Sequence, residues 1–229
     1  MTRLLCLLLL VSSAAVAQTG TVDYEETIRL AYDLPAEAAH LRDQFPTSQT
    51  FYKSLAFDGT TSVTRDVEEP PSALPDEESS VQVVVQRAES VTHLDLDDQT
   101  RTQQITSSGR TFLIQDEAPT YAWRLTEERA EFLGFSCIKA VTDRDGKTVE
   151  AWFTPEIPVP AGPAPYGGLP GLILILTEDD GQRTLTATDV SLGAPSPEAL
   201  APPEDGRRVT REGYREVVQS LRGGQGAGR

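Results

Sequence analysis

Ala151-Trp152-Phe153-Thr154-Pro155-Glu156-Ile157-Pro158-Val159-Pro160-Ala161-Gly162-Pro163-Ala164-Pro165-Tyr166-Gly167-Gly168-Leu169-Pro170-Gly171-Leu172-Ile173 is the stretch from which the architecture can be read. Six prolines and four glycines fall between Pro155 and Gly171. Each proline locks φ and pushes the residue before it into extended geometry, so residues 154–165 read as a stiff path that cannot join a central ladder. Leu169-Pro170-Gly171-Leu172 fits a type II turn, with Gly171 where φ must be positive. Gly167 and Gly168 permit close backbone approach or left-handed geometry. The apolar run 172–176 has strand length and suits a strand covered on both faces. Two readings follow: a rigid recognition loop, or a conformationally demanding crossover that closes the edge of a sheet. The scarcity of polar groups favours the second.

Short alternating runs dominate on either side. Residues 20–30 read as a first strand, and a short helical stretch opens at Asp33-Leu34-Pro35-Ala36 and runs to about Gln44. Strands 51–57 and 60–67 flank Asp58-Gly59, whose residues both accept positive φ. Residues 68–80 form a Pro-, Ser- and acid-rich loop without apolar period. Runs 81–87, 91–97, 101–107 and 111–115 follow as an antiparallel meander. Strands are then expected over 123–125, 130–141 and 148–154, the last two joined by Asp143-Arg144-Asp145-Gly146. Strands 172–177 and 183–192 pair across Glu178-Asp179-Asp180-Gly181, and a proline-rich linker covers 195–205. Thr210 caps one clear helix in which Tyr214, Val217, Val218 and Leu221 share a face, and Gly223-Gly224 should stop it. The fold class is therefore mainly β: a curved antiparallel sheet, half-barrel or bowl, of about nine to eleven strands, because twist accumulates with strand number. A short N-terminal helix and one C-terminal helix accompany it. A concave apolar face under a helix would make a natural ligand cavity.

Gly168-Leu169-Pro170-Gly171-Leu172-Ile173, with residues 152–159 and Leu133-Gly134-Phe135-Ser136-Cys137-Ile138-Lys139-Ala140, resembles the GLPGLI family of bacterial envelope proteins. The likeness is close over 121–177 and looser elsewhere, at Tyr24-Glu25 and Val209-Thr210. That family is itself similar to the bowl-like N-terminal domain of a class of peptide N-glycosidases, where the module is not the catalytic part. The resemblance thus implies an envelope module without a known activity.

Residues 1–17 combine Arg3, the apolar stretch 4–11 and the small-residue triplet Ala15-Val16-Ala17, the pattern of a signal peptide cleaved before Gln18. Cys6 lies inside the apolar stretch rather than after it, so an exported protein is expected instead of a lipoprotein, in the periplasm or secreted, with no membrane span. Residues 18–222 are read as a single β-rich domain and 223–229 as a disordered tail. Without Cys6, Cys137 is the one cysteine, so no internal disulfide staples the fold. Its alternation with Phe135 makes it a small buried hydrophobe rather than a reactive thiol. The formal net charge of −15, or −16 once Arg3 is removed, disfavours nucleic acid and anionic lipid surfaces.

Little in the chain points to chemistry. His93 alternates with Asp95 and Asp97 on one strand face, which reads as a solvated face more readily than a metal site. His40 has no zinc-protease partner, and no nucleophile elbow, P-loop or dinucleotide fingerprint occurs. No catalytic residue, metal ligand or cofactor is therefore assigned. Glu156 stands in the proline-rich loop, with Arg124 as its expected partner, and pinning the loop is the favoured role over catalysis. Trp152, Glu156, Tyr166, Leu169 and Pro170 are the candidate binding residues. The favoured function is an exported, non-enzymatic envelope protein that binds an apolar molecule or lipid, a glycan, or an outer-membrane protein. The alternative is a glycan- or peptide-directed hydrolase or its accessory, which would need two facing carboxylates. N-terminal sequencing of protein recovered from the envelope is expected to begin at Gln18; a chain that retains Arg3 would contradict export by this signal.

Overall fold

The computed structural model describes residues 18–32, 35–68 and 87–225. Among them, twelve strands form one sheet: β1 (Gly20–Arg29), β2 (Ser48–Phe57), β3 (Thr61–Val67), β4 (Glu89–Asp95), β5 (Thr100–Ser107), β6 (Arg110–Glu117), β7 (Arg124–Phe132), β8 (Phe135–Arg144), β9 (Lys147–Thr154), β10 (Leu172–Glu178), β11 (Arg183–Leu192) and β12 (Arg207–Val209). Their order is β12-β6-β5-β4-β3-β2-β1-β11-β10-β9-β8-β7. Every neighbouring pair is antiparallel except β12 with β6, which is parallel. The sheet is open and curved, as the alternating pattern predicts. A 3-10 helix, Ala36–Gln44, links β1 to β2. The expected loop 68–80 and strand 81–87 fall almost wholly outside the described residues.

Register assigns the faces. Tyr24 pairs with Lys53, Lys53 with Asp66, Thr64 with Thr92, Thr92 with Gln103 and Arg101 with Asp116. Directly paired residues project from the same side, so these share one face with Val22, Glu26 and Leu55, here the inner face. The linker after β11 runs over the outer face as the short helix α1 (Pro197–Leu200), held by Arg65, which donates to the carbonyls of Glu198, Ala199 and Ala201. The chain then rounds the edge as β12, and helix α2 (Arg211–Gln225) packs back on the inner side, where Tyr214 meets Phe112 edge-on at 5.4 Å. Thr210 caps α2 as expected, its Oγ1 accepting from the Gly213 N–H at 3.0 Å.

The proline-glycine segment is not a crossover. β9 and β10 are adjacent and antiparallel, so residues 155–171 are a long hairpin connection folded over the inner face. Ile157, Val159, Ala161, Tyr166 and Leu169 are each at most 1% exposed and join Val22, Tyr24, Leu55, Leu185 and Ala187 in the core. Prolines remove donors, and the donors that remain are satisfied close at hand: Val159 N–H by Ile157, Ala161 N–H by Val159, and Leu172 and Ile173 N–H by Ile157 and Ala161. Tyr24 locks the end of the segment, donating its hydroxyl to the Ile173 carbonyl at 2.5 Å.

The expected type II turn is also corrected. Positive φ occurs at Gly168 (82°) and not at Gly171. Gly171 is required for another reason: its N–H donates to Leu169, and a Cβ there would lie 2.1 Å from the Thr154 carbonyl oxygen. The single strand expected over 130–141 is instead a hairpin, because Leu133 and Gly134 both adopt positive φ, 49° and 79°, and turn β7 into β8. Leucine in that conformation carries no turn signature, which hid the hairpin. α1 interrupts the linker read over 195–205, β12 follows it where no strand was expected, and α2 continues through Gly223-Gly224 to Gln225 rather than stopping.

Gly171→Ala is expected to lower stability by about 3 kcal/mol or more, since neither Thr154 nor Pro155 backbone can retreat from both sheet and loop. Gly109→Ala, at φ 71° with nothing near its Cβ, should cost only about 1 kcal/mol. Denaturant midpoints of the two variants would expose the difference; equal losses would contradict the seating described.

Candidate functional site

The apolar half of the inner face is filled by the chain's own loop. Beside it the same face turns polar, and the change is visible within single strands: Val22 and Tyr24 are followed in phase by Glu26, and Leu55 is preceded in phase by Lys53. Glu26 is 1% exposed and Lys53 4%. Glu26 accepts from Arg87 at 2.5 Å and Arg183 at 2.5 Å, with Lys53 at 3.5 Å. Asp66 takes Lys53, Arg87 at 3.2 Å and both the N–H and hydroxyl of Ser90. Arg183 also donates to Glu178. Three cations and three carboxylates thus neutralise one another where water is largely excluded.

Farther toward α2 stands a second group. Arg101 grips Asp116 through two nitrogens, at 2.8 and 2.6 Å, and Arg211 from the first turn of α2 reaches the same carboxylate at 3.0 and 3.4 Å. Arg211 also donates to the Gln103 side-chain oxygen at 2.7 Å. From the opposite wall Arg144 donates to the Tyr166 hydroxyl at 2.9 Å and lies 5.4 Å from that ring's centre. Its carboxylate neighbour, Asp145, is 3.9 Å away and almost fully exposed, so that pair is screened by solvent.

Between these groups lies a cavity of about 300 Å³ lined by Lys53, Arg87, Arg101, Arg144, Arg183 and Arg211, by Thr64, Ser90, Thr92 and Gln103, and by the loop residues Ala164 and Pro165. No carboxylate is among its lining residues; the acids stand behind the cations. The loop forms one wall, pinned where Ala164 N–H donates to Thr64 Oγ1 at 3.1 Å. Tyr121, stacked on Tyr166 at 4.9 Å, and Trp123, whose Nε1–H donates to the Gly167 carbonyl at 2.9 Å, clamp the loop from the β6–β7 connection.

The electrostatics favour permanent charges over proton transfer. Burial pushes the Glu26 carboxyl up, but the charges of Arg183, Lys53 and Arg87 outweigh it and hold it below the usual carboxylate range. Asp116 likewise has its burial penalty overcome by hydrogen bonds and charge from Arg101 and Arg211. Burial pushes the Tyr166 hydroxyl up to about 12, so it stays a neutral partner to Arg144. A general acid for glycosidic chemistry needs the opposite, a carboxyl with its pKa raised.

Of the residues singled out from sequence, Tyr166 and Leu169 are in the core, and Tyr166 reaches the cavity only through Arg144. Trp152 packs half-buried against that core, and Pro170 is exposed. Glu156 is exposed and accepts the Ser136 N–H at 2.8 Å in place of the expected Arg124. Cys137 is buried, and desolvation, with Glu156 nearby, pushes its thiol up. Asp97 lies beyond the end of β4, where Asp95 accepts the N–H groups of Asp97 and Asp98 in a turn. The charged ring was missed, although Glu26 and Lys53, each in phase with buried apolar neighbours, carried a readable signal.

Residues 84–175 match the model of a family described as a protein of unknown function, Porph_ging. No curated protein sequence matches the chain. Two solved structures of PNGF-II, in C2 and P21 crystal forms, share the fold, with TM-scores of 0.61 and 0.59, each at 16% identity over 89% of this chain. The chain spans 33% of the length of those proteins.

Glu26→Gln leaves three cations without their shared anion and is expected to cost about 3 kcal/mol or more. Because Glu26 and Asp116 have folded pKa values below their unfolded ones, near 4.5 and 3.8, their stabilisation is full above those values and fades as pH falls through the lower folded ones. Thermal melts should therefore hold at neutral pH and drop below about pH 4.5. In Glu26→Gln that acid drop should be shallower; an unchanged slope would remove Glu26 from the account.

Proposed function

We propose that this chain is an exported, non-enzymatic module of the cell envelope, of the GLPGLI type, that holds a glycan in the trough between α2 and the proline-glycine loop. The observation that carries this reading is the division of the inner face. The half suited to an apolar molecule or lipid is occupied by Ile157, Val159 and Leu169, whereas the open half is lined by guanidinium, hydroxyl and amide donors. A cavity of about 300 Å³ is at the small end of ligand sites and suits one or two sugar units better than a protein segment. Likeness of fold to a third of PNGF-II, a peptide N-glycosidase, is compatible with work beside glycan chemistry. Signal-like residues 1–17 support export.

The hydrolase alternative is less well supported. Glu156 is engaged in pinning the β8 start, and Glu26 and Asp116 are held ionised by three and two cations respectively. Neither can deliver a proton to a leaving group.

Protein-observed NMR with a panel of bacterial envelope oligosaccharides should move resonances of Thr64, Thr92 and Gln103, and Gln103→Ala should weaken binding by roughly three- to tenfold. No glycopeptide or glycoside should be cleaved. Shifts confined to residues outside the trough, or shifts produced by lipid vesicles and by no oligosaccharide, would overturn the reading.

A further inference from the structure

The trough carries more positive charge than its own carboxylates cancel. Six of the chain's 20 Lys and Arg residues line one cavity, in a protein of net charge −15. Glu26, Asp66 and Glu178 neutralise Lys53, Arg87 and Arg183. Arg101 and Arg211 share the single carboxylate Asp116, which leaves one charge over. Arg144 leans on a neutral phenol, on a screened, exposed Asp145 and, at longer range, on Glu178, whose charge is already shared with Arg183, which leaves another. The two uncancelled charges face each other across the cavity. Arg144 enters the cavity from β8, and Arg101 and Arg211 enter it from β5 and α2.

These donors have capacity to spare. A guanidinium offers five N–H groups in a planar fork suited to an oxyanion, and Arg144 commits one of them to Tyr166. Thr64 uses its oxygen to accept from Ala164 and retains its proton to donate. Asp116 behind Arg101 and Arg211, and the Tyr166 hydroxyl behind Arg144, orient the forks in advance, so a ligand need not order them.

We propose that the trough recognises an acidic sugar, docking its oxyanion, a carboxylate or a phosphate monoester, between Arg144 and the Arg101–Arg211 pair with the Thr64 hydroxyl as a further donor. This inference rests on the glycan reading of the same trough and names the class of sugar.

Calorimetric titration of the full chain at constant ionic strength, with glucuronate, glucose 6-phosphate, glucose and inorganic phosphate as probes, tests it. Glucuronate or glucose 6-phosphate should bind roughly tenfold or more tighter than glucose. Which of the two binds better identifies the oxyanion. Raising salt from about 50 to about 300 mM should weaken the charged sugar and not glucose. Arg144→Gln should erase most of the preference, by roughly tenfold, whereas Arg144→Lys should keep part of it, and a retained melting temperature in both would show that folding is intact. Equal affinity for glucose and both charged sugars, or Arg144→Gln binding them like the native protein, would overturn the inference and leave the glycan reading standing. Inorganic phosphate binding as tightly as glucose 6-phosphate, while glucose and glucuronate do not bind, would support the oxyanion subsite and overturn the glycan reading.

Discussion

The seating of residues 155–171 on the inner face is the constraint on which the rest depends. A curved sheet of this width leaves a broad apolar surface, and no second sheet covers it among the described residues. The chain covers it with a segment whose prolines reduce both the entropy lost on ordering and the number of N–H groups needing partners. Close approach is then possible only where side chains are absent, at Gly162 against Ile173, Gly167 against Pro160 and Gly171 against Thr154. The Tyr24 hydroxyl donates to the Ile173 carbonyl, beside the register shift between Ile173 and Ile175 in the β9–β10 pairing.

Because the loop ends where it does, the inner face is split. Beneath the loop the packing is apolar; beyond it, the strands that carry Val22 and Leu55 carry Glu26 and Lys53 in the same phase. Burying those charges is tolerable only as a network in which every ion meets an opposite partner and most meet two or more, since an unpaired one would be heavily penalised. Such a network rigidifies β1, β2, β3 and β11 side by side. It also leaves the arginines presenting their outer edges to the cavity, which makes the trough a wall of donors instead of a proton-transfer site.

Part of PNGF-II shares this fold. The chain accounts for a third of that protein's length, and its cavity lies on one continuous sheet rather than between domains. α2 closes the trough from the side opposite the loop, so the two elements that carry little regular pairing of their own are the ones that shape the site.

Period-two alternation, the Asp-Gly turns and the clustered prolines made the mainly β architecture and most strand positions legible, because these signals act within a few residues. The hairpin at Leu133-Gly134 escaped since leucine with positive φ is imposed by the strands it joins, and β12 escaped since three residues gain strand character only from β6. The sequence by itself determined that residues 155–171 would be stiff and poor in donors, but not that they would lie across a sheet face. Tertiary structure alone decided the site: Lys53, Arg101, Arg144, Arg183 and Arg211 come from five separate elements. Only strand order and register, set by long-range pairing, bring their charges to one cavity.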